Sequence, residues 1–265
     1  SGVHKMDFTG KTALITGSGR GIGKETAIKF AEEGANIVLA DINSELLDQV
    51  ESEIKSLGRE VLKIVLDVSN INQIDQMVST ISKNFDHLDI LFNNAGITKH
   101  IDFFNIKEPD WDQINAINAK GAFFCMQKVS KLMIDQKVMG RIVNTASIAG
   151  KGYQRSSNAA YASSKGSVIA MTHIAASVLA KHGINVNAIC PGMVQTDMFK
   201  NILSLRSEES SISQKDLQKD LIDEIPIGRV NEASDIASLV VFLSGPGSRN
   251  ITGQTVNIDG GLIMH

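Results

Sequence analysis

The sequence predicts an α/β fold: a single domain built on a doubly wound, parallel, seven-stranded sheet with helices on both faces. Three observations predict it. Short apolar runs of strand length alternate with stretches of about 10 to 15 residues that carry helical spacing. Several of these runs are apolar throughout, as in strands covered on both faces, rather than alternating with polar residues. The alternation persists along the chain without an internal repeat, a low-complexity tract or a linker that would divide it.

The elements follow in order. Residues 11–16 form the first strand, which breaks into Gly17-Ser18-Gly19-Arg20-Gly21-Ile22-Gly23 with glycine at alternate positions. Helical spacing then resumes at Ile22, Ala27, Phe30 and Ala31 and runs to Glu33. Residues 36–41 are the second strand, ending on Asp41, and residues 44–57 a helix closed by Gly58. A third strand spans 61–68 and closes on Asp67. A helix spans 70–85, and a fourth strand from 88 runs into Asn93-Asn94-Ala95-Gly96.

Pro109 and Asp110 open a long helical stretch that Gly140 ends. Its apolar residues cover more than one face, which suits packing against another subunit. The fifth strand is 141–147. A polar connection, 151–158, leads to a second long helix over about 159–182, and the sixth strand, 183–189, is stopped by Pro191-Gly192. Residues 193–226 are too apolar for a linker and too polar for core, so they read as a pair of short helices forming a lid over the site. Residues 233–243 are one more helix and 254–258 the seventh strand.

Composition bounds the function. With 265 residues, 43% hydrophobic and 21% charged, the chain is long enough to bury a sizeable core. Its net charge of −3 and scattered Lys and Arg offer no basic face, so nucleic acid is not an expected partner. No run approaches the ~18 apolar residues of a membrane span, and the start lacks a signal pattern, so a cytoplasmic location is expected. Cys125 and Cys190 lie far apart in apolar runs and read as buried small hydrophobes, with no metal expected. Residues 1–5 precede Met6, the expected natural start.

The glycine turn carries the first chemical signal. Backbone amides at a helix start, backed by the helix dipole, form a site for a phosphate anion, and glycine lets a diphosphate approach with no Cβ in the way. The common G-x-G-x-x-G spacing is not met, because Ile22 stands where the third glycine would fall. Gly17-x-x-x-Gly21-x-Gly23 is met instead. Asp41 ends the second strand 18 residues after Gly23, near the ~20 at which a dinucleotide fold places a carboxylate on the adenosine ribose. Such a carboxylate accepts from the ribose diol and repels a 2′-phosphate, which favours NAD over NADP. Arg20, a cation in the same turn, argues the other way. Asp41 also reads as a helix cap, compatible with ribose binding if Asn43 or Ser44 caps instead. Asp67, Asn94 and Gly96 stand at strand carboxyl ends, where ligands of parallel sheets bind.

Tyr161 and Lys165, four apart on a helix, share one face. An ammonium near a phenol lowers its pKa towards working pH, as a general acid/base requires. Ser147 ends the strand before that helix and Asn118 lies in the helix before that strand. Taken singly, either reads equally as a cap or a satisfied buried polar residue.

The glycine turn, Asn93-Asn94-Ala95-Gly96, Asn118 in Asn-Ala-Lys-Gly, Ser147, Tyr161-Ala-Ser-Ser-Lys165 and Pro191-Gly192-x-x-x-Thr196 together resemble the short-chain dehydrogenase/reductase family, in family order over essentially the whole chain. The resemblance implies a Rossmann-type fold and a nicotinamide cofactor held by Gly17, Ser18, Arg20, Gly21, Ile22, Gly23, Asp41, Asp67, Val68, Asn94, Gly96, Tyr161, Lys165, Val194 and Thr196. It implies Tyr161 as proton donor and acceptor, Lys165 lowering its pKa and holding the nicotinamide ribose, and Ser147 on the substrate oxygen. Asn118 would hold a relay water behind the lysine, and Val194 and Thr196 would anchor the carboxamide. It also implies a homotetramer joined through the two long helices. The 14 residues from Ser147 to Tyr161 exceed the usual family spacing by one, which loop 151–155 is expected to absorb.

For substrate, the polar groups of Gln154, Arg155, Ser156, Ser157 and Asn158 are expected to line the pocket, with Gln154 on the substrate. They favour a polyol, sugar alcohol or hydroxyketone, and Asp41-Ile42-Asn43 and residues 182–189 resemble the polyol dehydrogenase branch. Met193, Met198 and Phe199 equally suit an apolar pocket. The alternatives are a reductase of carrier-linked 3-ketoacyl groups, whose relatives usually take NADPH, a redox sensor without catalysis, which would lack the tyrosine or lysine, and a methyltransferase, which needs no Ser147, Tyr161 and Lys165 together.

Overall fold

The structure is a computed structural model that describes residues 6–155 and 157–264, the side chain of Glu209 excepted. Residues 1–5, Ser156 and His265 lie outside the described residues.

Seven parallel strands form one sheet in the order β3-β2-β1-β4-β5-β6-β7. They are β1 Thr12–Thr16, β2 Asn36–Asp41, β3 Val61–Val65, β4 Ile90–Asn93, β5 Arg141–Thr145, β6 Asn185–Pro191 and β7 Thr255–Ile258. The order reverses between β1 and β4, which opens a crevice at their carboxyl ends.

Side chains of successive residues leave a strand on opposite faces. In β1, Ala13 and Ile15 join one core with Ile37 and Leu39 of β2, while Leu14 joins the other with Val38 and Ala40. Three helices cover the first face: α1 Gly21–Glu32, α2 Ser44–Ser56 and α9 Ala233–Ser244. On the second lie α3 Ile71–Asn84, α5 Ala122–Asp135 and α6 Ala159–Leu179, with α4 Glu108–Asn115 leading into α5. Phe30, Phe92 and Leu14 are wholly buried, each contributing about 1.5–3 kcal/mol. Asparagine starts three of these helices: Asn43, Asn70 and Asn158 each accept backbone N–H bonds of the first turn.

Several boundaries differ from those expected. β3 ends at Val65 and β4 at Asn93, so Asp67, Asn94 and Gly96 stand just beyond the strands rather than within them. The long helical stretch holds a π-helical turn at Ala116–Gly121 and ends at Asp135, before Gly140, because Lys137 adopts a left-handed φ of 58°. β6 starts two residues later than expected and includes Pro191, which pairs with Ile258. Residues 193–226 do hold two helices, α7 Asp197–Ser210 and α8 Gln214–Asp223, packed on each other through Leu203, Leu221 and Ile225. Ile174 and Val178 of α6 and Trp111 of α4 are exposed apolar residues. Among the described residues no helix is long and apolar enough to cross a membrane.

Candidate active site

A cavity of about 730 Å³ opens at the strand carboxyl ends and runs under α7 and α8. Its floor at one end is the glycine turn. Gly17 and Gly21 have φ of 65° and 53°, a region that side chains strain to adopt. A Cβ on Gly17 would lie 2.9 Å from the Ala95 backbone, and one on Gly23 would lie 2.0 Å from the Gly17 carbonyl oxygen. Arg20 stands at the N-cap of α1 with no capping side-chain bond, so the first amides of the helix receive no side-chain acceptor there. These features fit a diphosphate held by backbone amides.

The predicted cofactor residues divide by what they touch. Gly17, Arg20, Gly21, Ile22, Asp41, Asp67, Val68, Asn94, Gly96, Tyr161, Lys165, Val194 and Thr196 do line the cavity. Ser18 and Gly23 do not. The Ser18 hydroxyl is buried and donates to the Ala40 carbonyl (3.3 Å), so it fastens the turn to β2. Gly23 has no side chain because α1 crosses the turn at contact distance. Asn94 likewise uses its amide to brace the turn, donating to the Thr16 and Gly17 carbonyls (3.3 and 3.2 Å) and accepting from Thr145 (3.3 Å).

Asp41 is held in place by two backbone amides, accepting from Gly19 N on Oδ2 (2.9 Å) and Asn43 N on Oδ1 (3.0 Å). Asn43 caps α2, accepting from Leu46 N, so Asp41 remains at the cavity edge. At Val194 the ladder to Asn231 uses Gln195 N and the Met193 carbonyl. Val194's own amide takes no part in that ladder, and Val194 lines the cavity. Thr196 caps α7, accepting from Phe199 N, and faces Gly21 across the crevice.

Ser147, Tyr161 and Lys165 meet in the cavity wall. Ser147 Oγ accepts from Ala149 N (3.1 Å), which starts a short 3-10 helix at Ile148–Lys151, and lines the cavity with Tyr161. The capping and site readings of Ser147 thus hold together, and the extra loop residue leaves Tyr161 in register with it. Lys165 is buried, donates to the Thr145 carbonyl (2.7 Å), and lies 5.8 Å from the centroid of the Tyr161 ring. A Cβ at Gly96 would lie 3.4 Å from Lys165 Nζ, so that glycine leaves room for the ammonium.

The expected lowering of the Tyr161 pKa is not found. Burial raises it, and the Ser147 hydroxyl pulls it only partly back. Burial also lowers Lys165 from 10.5 to about 8. Because the folded pKa lies below the unfolded one, protonated Lys165 destabilises the fold below about pH 8, and the penalty disappears as pH rises towards 10.5. At pH 7 it is about 3 kcal/mol. Lys165→Met removes it but orphans the Thr145 carbonyl, at about 1–2 kcal/mol. The substitution is therefore expected to raise the melting temperature at pH 7 by a few degrees, about 1–2 kcal/mol net, and the gain should shrink by pH 10. Equal or lower stability at pH 7 in thermal unfolding would contradict the cost of burying this charge.

Besides Ser18 and Gly23, two predicted residues are not in the cavity wall. Asn118 is buried behind it. Its amide bonds both the N–H and the carbonyl of Ile97 (2.8 and 2.9 Å) and Ser164 (3.1 Å), so both donors and one acceptor lone pair are engaged. Gln154 is exposed and points away, because Gly152 at φ 90° turns the chain so that Tyr153 and Arg155 face inward. Asn158 caps α6 and donates to the Lys99 carbonyl (2.7 Å), leaving little for a ligand. Of the loop's polar groups, Arg155 and Ser157 reach the cavity, joined by Thr98, Gln113 and Arg206, whose presence there the sequence did not signal. Met193, Met198 and Phe199 do line it.

Comparison with known proteins agrees with this geometry. A family model described as "Enoyl-(Acyl carrier protein) reductase" matches residues 17–263. The chain is 38% identical to the 3-oxoacyl-(acyl-carrier-protein) reductase FabG of Thermotoga maritima, over 98% of this chain and 100% of that one. It is similar in structure to NAD+-bound xylitol dehydrogenase, with TM-score 0.91, 37% identity, and 96% and 99% of the two chains covered. It is also similar to a short-chain type dehydrogenase/reductase from Mycobacterium marinum, with TM-score 0.88, 31% identity and 98% of both chains covered. By these similarities in sequence and structure the chain belongs to the short-chain dehydrogenase/reductase family of nicotinamide-dependent oxidoreductases.

Proposed function

We propose that the chain catalyses the NAD-linked interconversion of a secondary alcohol and its ketone, on a small substrate with further hydroxyl groups such as a polyol, sugar alcohol or hydroxyketone. The observation that carries the reading is Tyr161 and Ser147 together in the cavity wall, with Lys165 behind them and the glycine turn at the other end of the same cavity. When bound there, NAD supplies the acceptor for the carbinol hydride. Tyr161 takes the hydroxyl proton in oxidation and returns it in reduction. Ser147, its acceptor lone pair engaged by Ala149 N, turns its proton towards the same oxygen. Lys165, fixed on the Thr145 carbonyl, holds the ribose and places positive charge near the phenol. Asn118 acts through Ile97 and its own backbone, its side-chain donors being engaged. α7 and α8 act as the lid.

Asp41 supports NAD. Two amides hold its carboxylate ready for a ribose diol and against a 2′-phosphate. Asp41→Ala is expected to weaken NAD binding about 10- to 100-fold and to bring NADP into comparable use. Fluorescence titration with both reduced cofactors tests this, and an unchanged preference would hand the selection to Arg20.

A second reading, reduction of 3-ketoacyl groups on a carrier protein with NADPH, is favoured by the name of the Thermotoga relative. A free, small substrate is favoured by the loop's ties to the lid: Tyr153 donates to Glu224 (3.4 Å), Arg155 pairs with Glu224, and Arg206 donates to the Arg155 carbonyl (3.2 Å), which narrows entry for a tethered acyl chain. The exposed apolar residues of α4 and α6 support a homotetramer. Light scattering after size exclusion should give four times the 28.6 kDa chain mass, and a monomer would refute the assembly.

A further inference from the structure

Thr98 and Ser157 both line the cavity that Ser147 and Tyr161 line, and their hydroxyls hydrogen-bond one another. Thr98 comes from the loop two residues after Gly96, and Ser157 from the turn that enters α6 four residues before Tyr161. The two segments are stitched together around this pair. Ile101 N donates to the Ser157 carbonyl (3.3 Å), while Asn158 Nδ2 donates to the Lys99 carbonyl (2.7 Å) and reaches Thr98 Oγ1 (3.5 Å). Asn118 clamps the neighbouring Ile97 through its N–H and carbonyl. Both hydroxyls are therefore fixed in place before a ligand arrives, which lowers the ordering cost of binding one.

A hydroxyl carries one proton and two acceptor lone pairs, so the pair can be bonded in two senses. With Thr98 donating to Ser157, the Ser157 proton is left to be donated into the cavity. With Ser157 donating to Thr98, the Thr98 proton turns to the Lys99 carbonyl (3.4 Å) and a Ser157 lone pair serves the cavity instead. Thr98 Oγ1 is the one partner of Ser157 Oγ among the described residues, so capacity remains in either sense. We infer that Ser157, positioned by Thr98, is a specificity-determining residue that hydrogen-bonds a second hydroxyl of the substrate, beyond the carbinol whose oxygen Ser147 and Tyr161 hold. This rests on the reading of Tyr161 and Ser147 given above and narrows its substrate to one with at least two hydroxyls. A carbonyl only accepts and an ammonium only donates, whereas a hydroxyl does either, and Ser157 answers both. Met193, Met198 and Phe199 line the same cavity, and a hydrogen bond among apolar side chains is stronger than one in water.

The test compares kcat/KM with NAD for matched pairs, diols or triols against deoxy alcohols that keep the carbon chain and lack one hydroxyl. The more hydroxylated member should be preferred by about tenfold, and Ser157→Ala should remove most of that preference, the loss of one hydrogen bond in a site built for it. Thr98→Val, which takes away the partner of Ser157, should lower the preference severalfold, and Thr98→Ser, which keeps the hydroxyl, should retain it. A general loss of folding would lower both members alike and leave the ratio in place. No preference for the more hydroxylated member, or a preference unmoved by Ser157→Ala, would overturn the inference while leaving the reaction. If no secondary alcohol is oxidised, the proposed reaction falls, and calorimetric titration of the same pairs into the NADH-saturated protein decides the site separately. Diol binding that Ser157→Ala weakens about tenfold would uphold it, and diol binding that is absent, or unchanged in the variant, would overturn it.

Discussion

Tyr161→Phe is expected to lower alcohol oxidation about 10³-fold while leaving dinucleotide affinity within about twofold. The phenol is the group in the cavity wall that both meets Ser147 and can exchange a proton there. Phenylalanine keeps the ring, its packing and its distance from Lys165, so the loss would be one of proton transfer and not of shape. The raised Tyr161 pKa fixes the direction of the pH dependence. In the ligand-free chain the phenol stays protonated at neutral pH, which suits the acid needed for ketone reduction. Oxidation needs the phenolate, so kcat/KM for the alcohol should climb through the alkaline range while that for the ketone falls. A Tyr161→Phe variant with normal turnover, or an oxidation rate that declines as pH rises above neutral, would contradict the assignment.

Gly23→Ala is expected to abolish cofactor binding and to destabilise the fold by about 1–3 kcal/mol. Alanine is the better helix former by roughly 1 kcal/mol, so propensity alone predicts a gain. Packing decides the sign. The new Cβ would lie 2.0 Å from the Gly17 carbonyl oxygen and 2.9 Å from Asn94 Nδ2, and the first of these is backbone that no side-chain rotation can move. Helix α1 must lift from the turn, which carries its amides away from the diphosphate site. Gly58→Ala provides the contrast: no atom lies within 4 Å of its Cβ, so only the left-handed φ of 73° costs, about 1–2 kcal/mol, with cofactor binding retained. Thermal unfolding and NADH fluorescence titration on both variants would decide, and normal NADH binding by Gly23→Ala would refute the packing argument.

Features set by local pattern were legible in the sequence. The apolar runs gave β2 to the residue, Asn43 is one of the two caps that the sequence offers for the helix after it, and the glycine turn with Asp41 marked one end of the cavity. Less legible was anything decided by distant chain. Gln154 and Arg155 are neighbours of similar polarity, and which of them faces inward depends on the 3-10 turn at Ile148–Lys151, on Gly152, and on Glu224 some 70 residues later. Ser18 and Gly23 sit within the glycine turn, where Ser18 bonds the Ala40 carbonyl of β2 and Gly23 lets α1 lie against the turn, contacts that motif spacing does not separate from ligand contact. The Tyr161 pKa misleads for the same reason: helical spacing reveals Lys165, whereas the burial that outweighs it is a property of the assembled core.

NAD-linked chemistry on a hydroxylated secondary alcohol can be followed by nicotinamide absorbance. The purified protein would be assayed with NAD and with NADP against a panel of polyols and other secondary alcohols, and in the reducing direction against a 3-ketoacyl thioester. Oxidation of a polyol with NAD, and little with NADP, is the predicted result. Turnover of the thioester alone, with NADPH, would contradict it: the fold and the Ser147, Tyr161 and Lys165 chemistry would stand, and the roles given to Asp41 and to the substrate would fall.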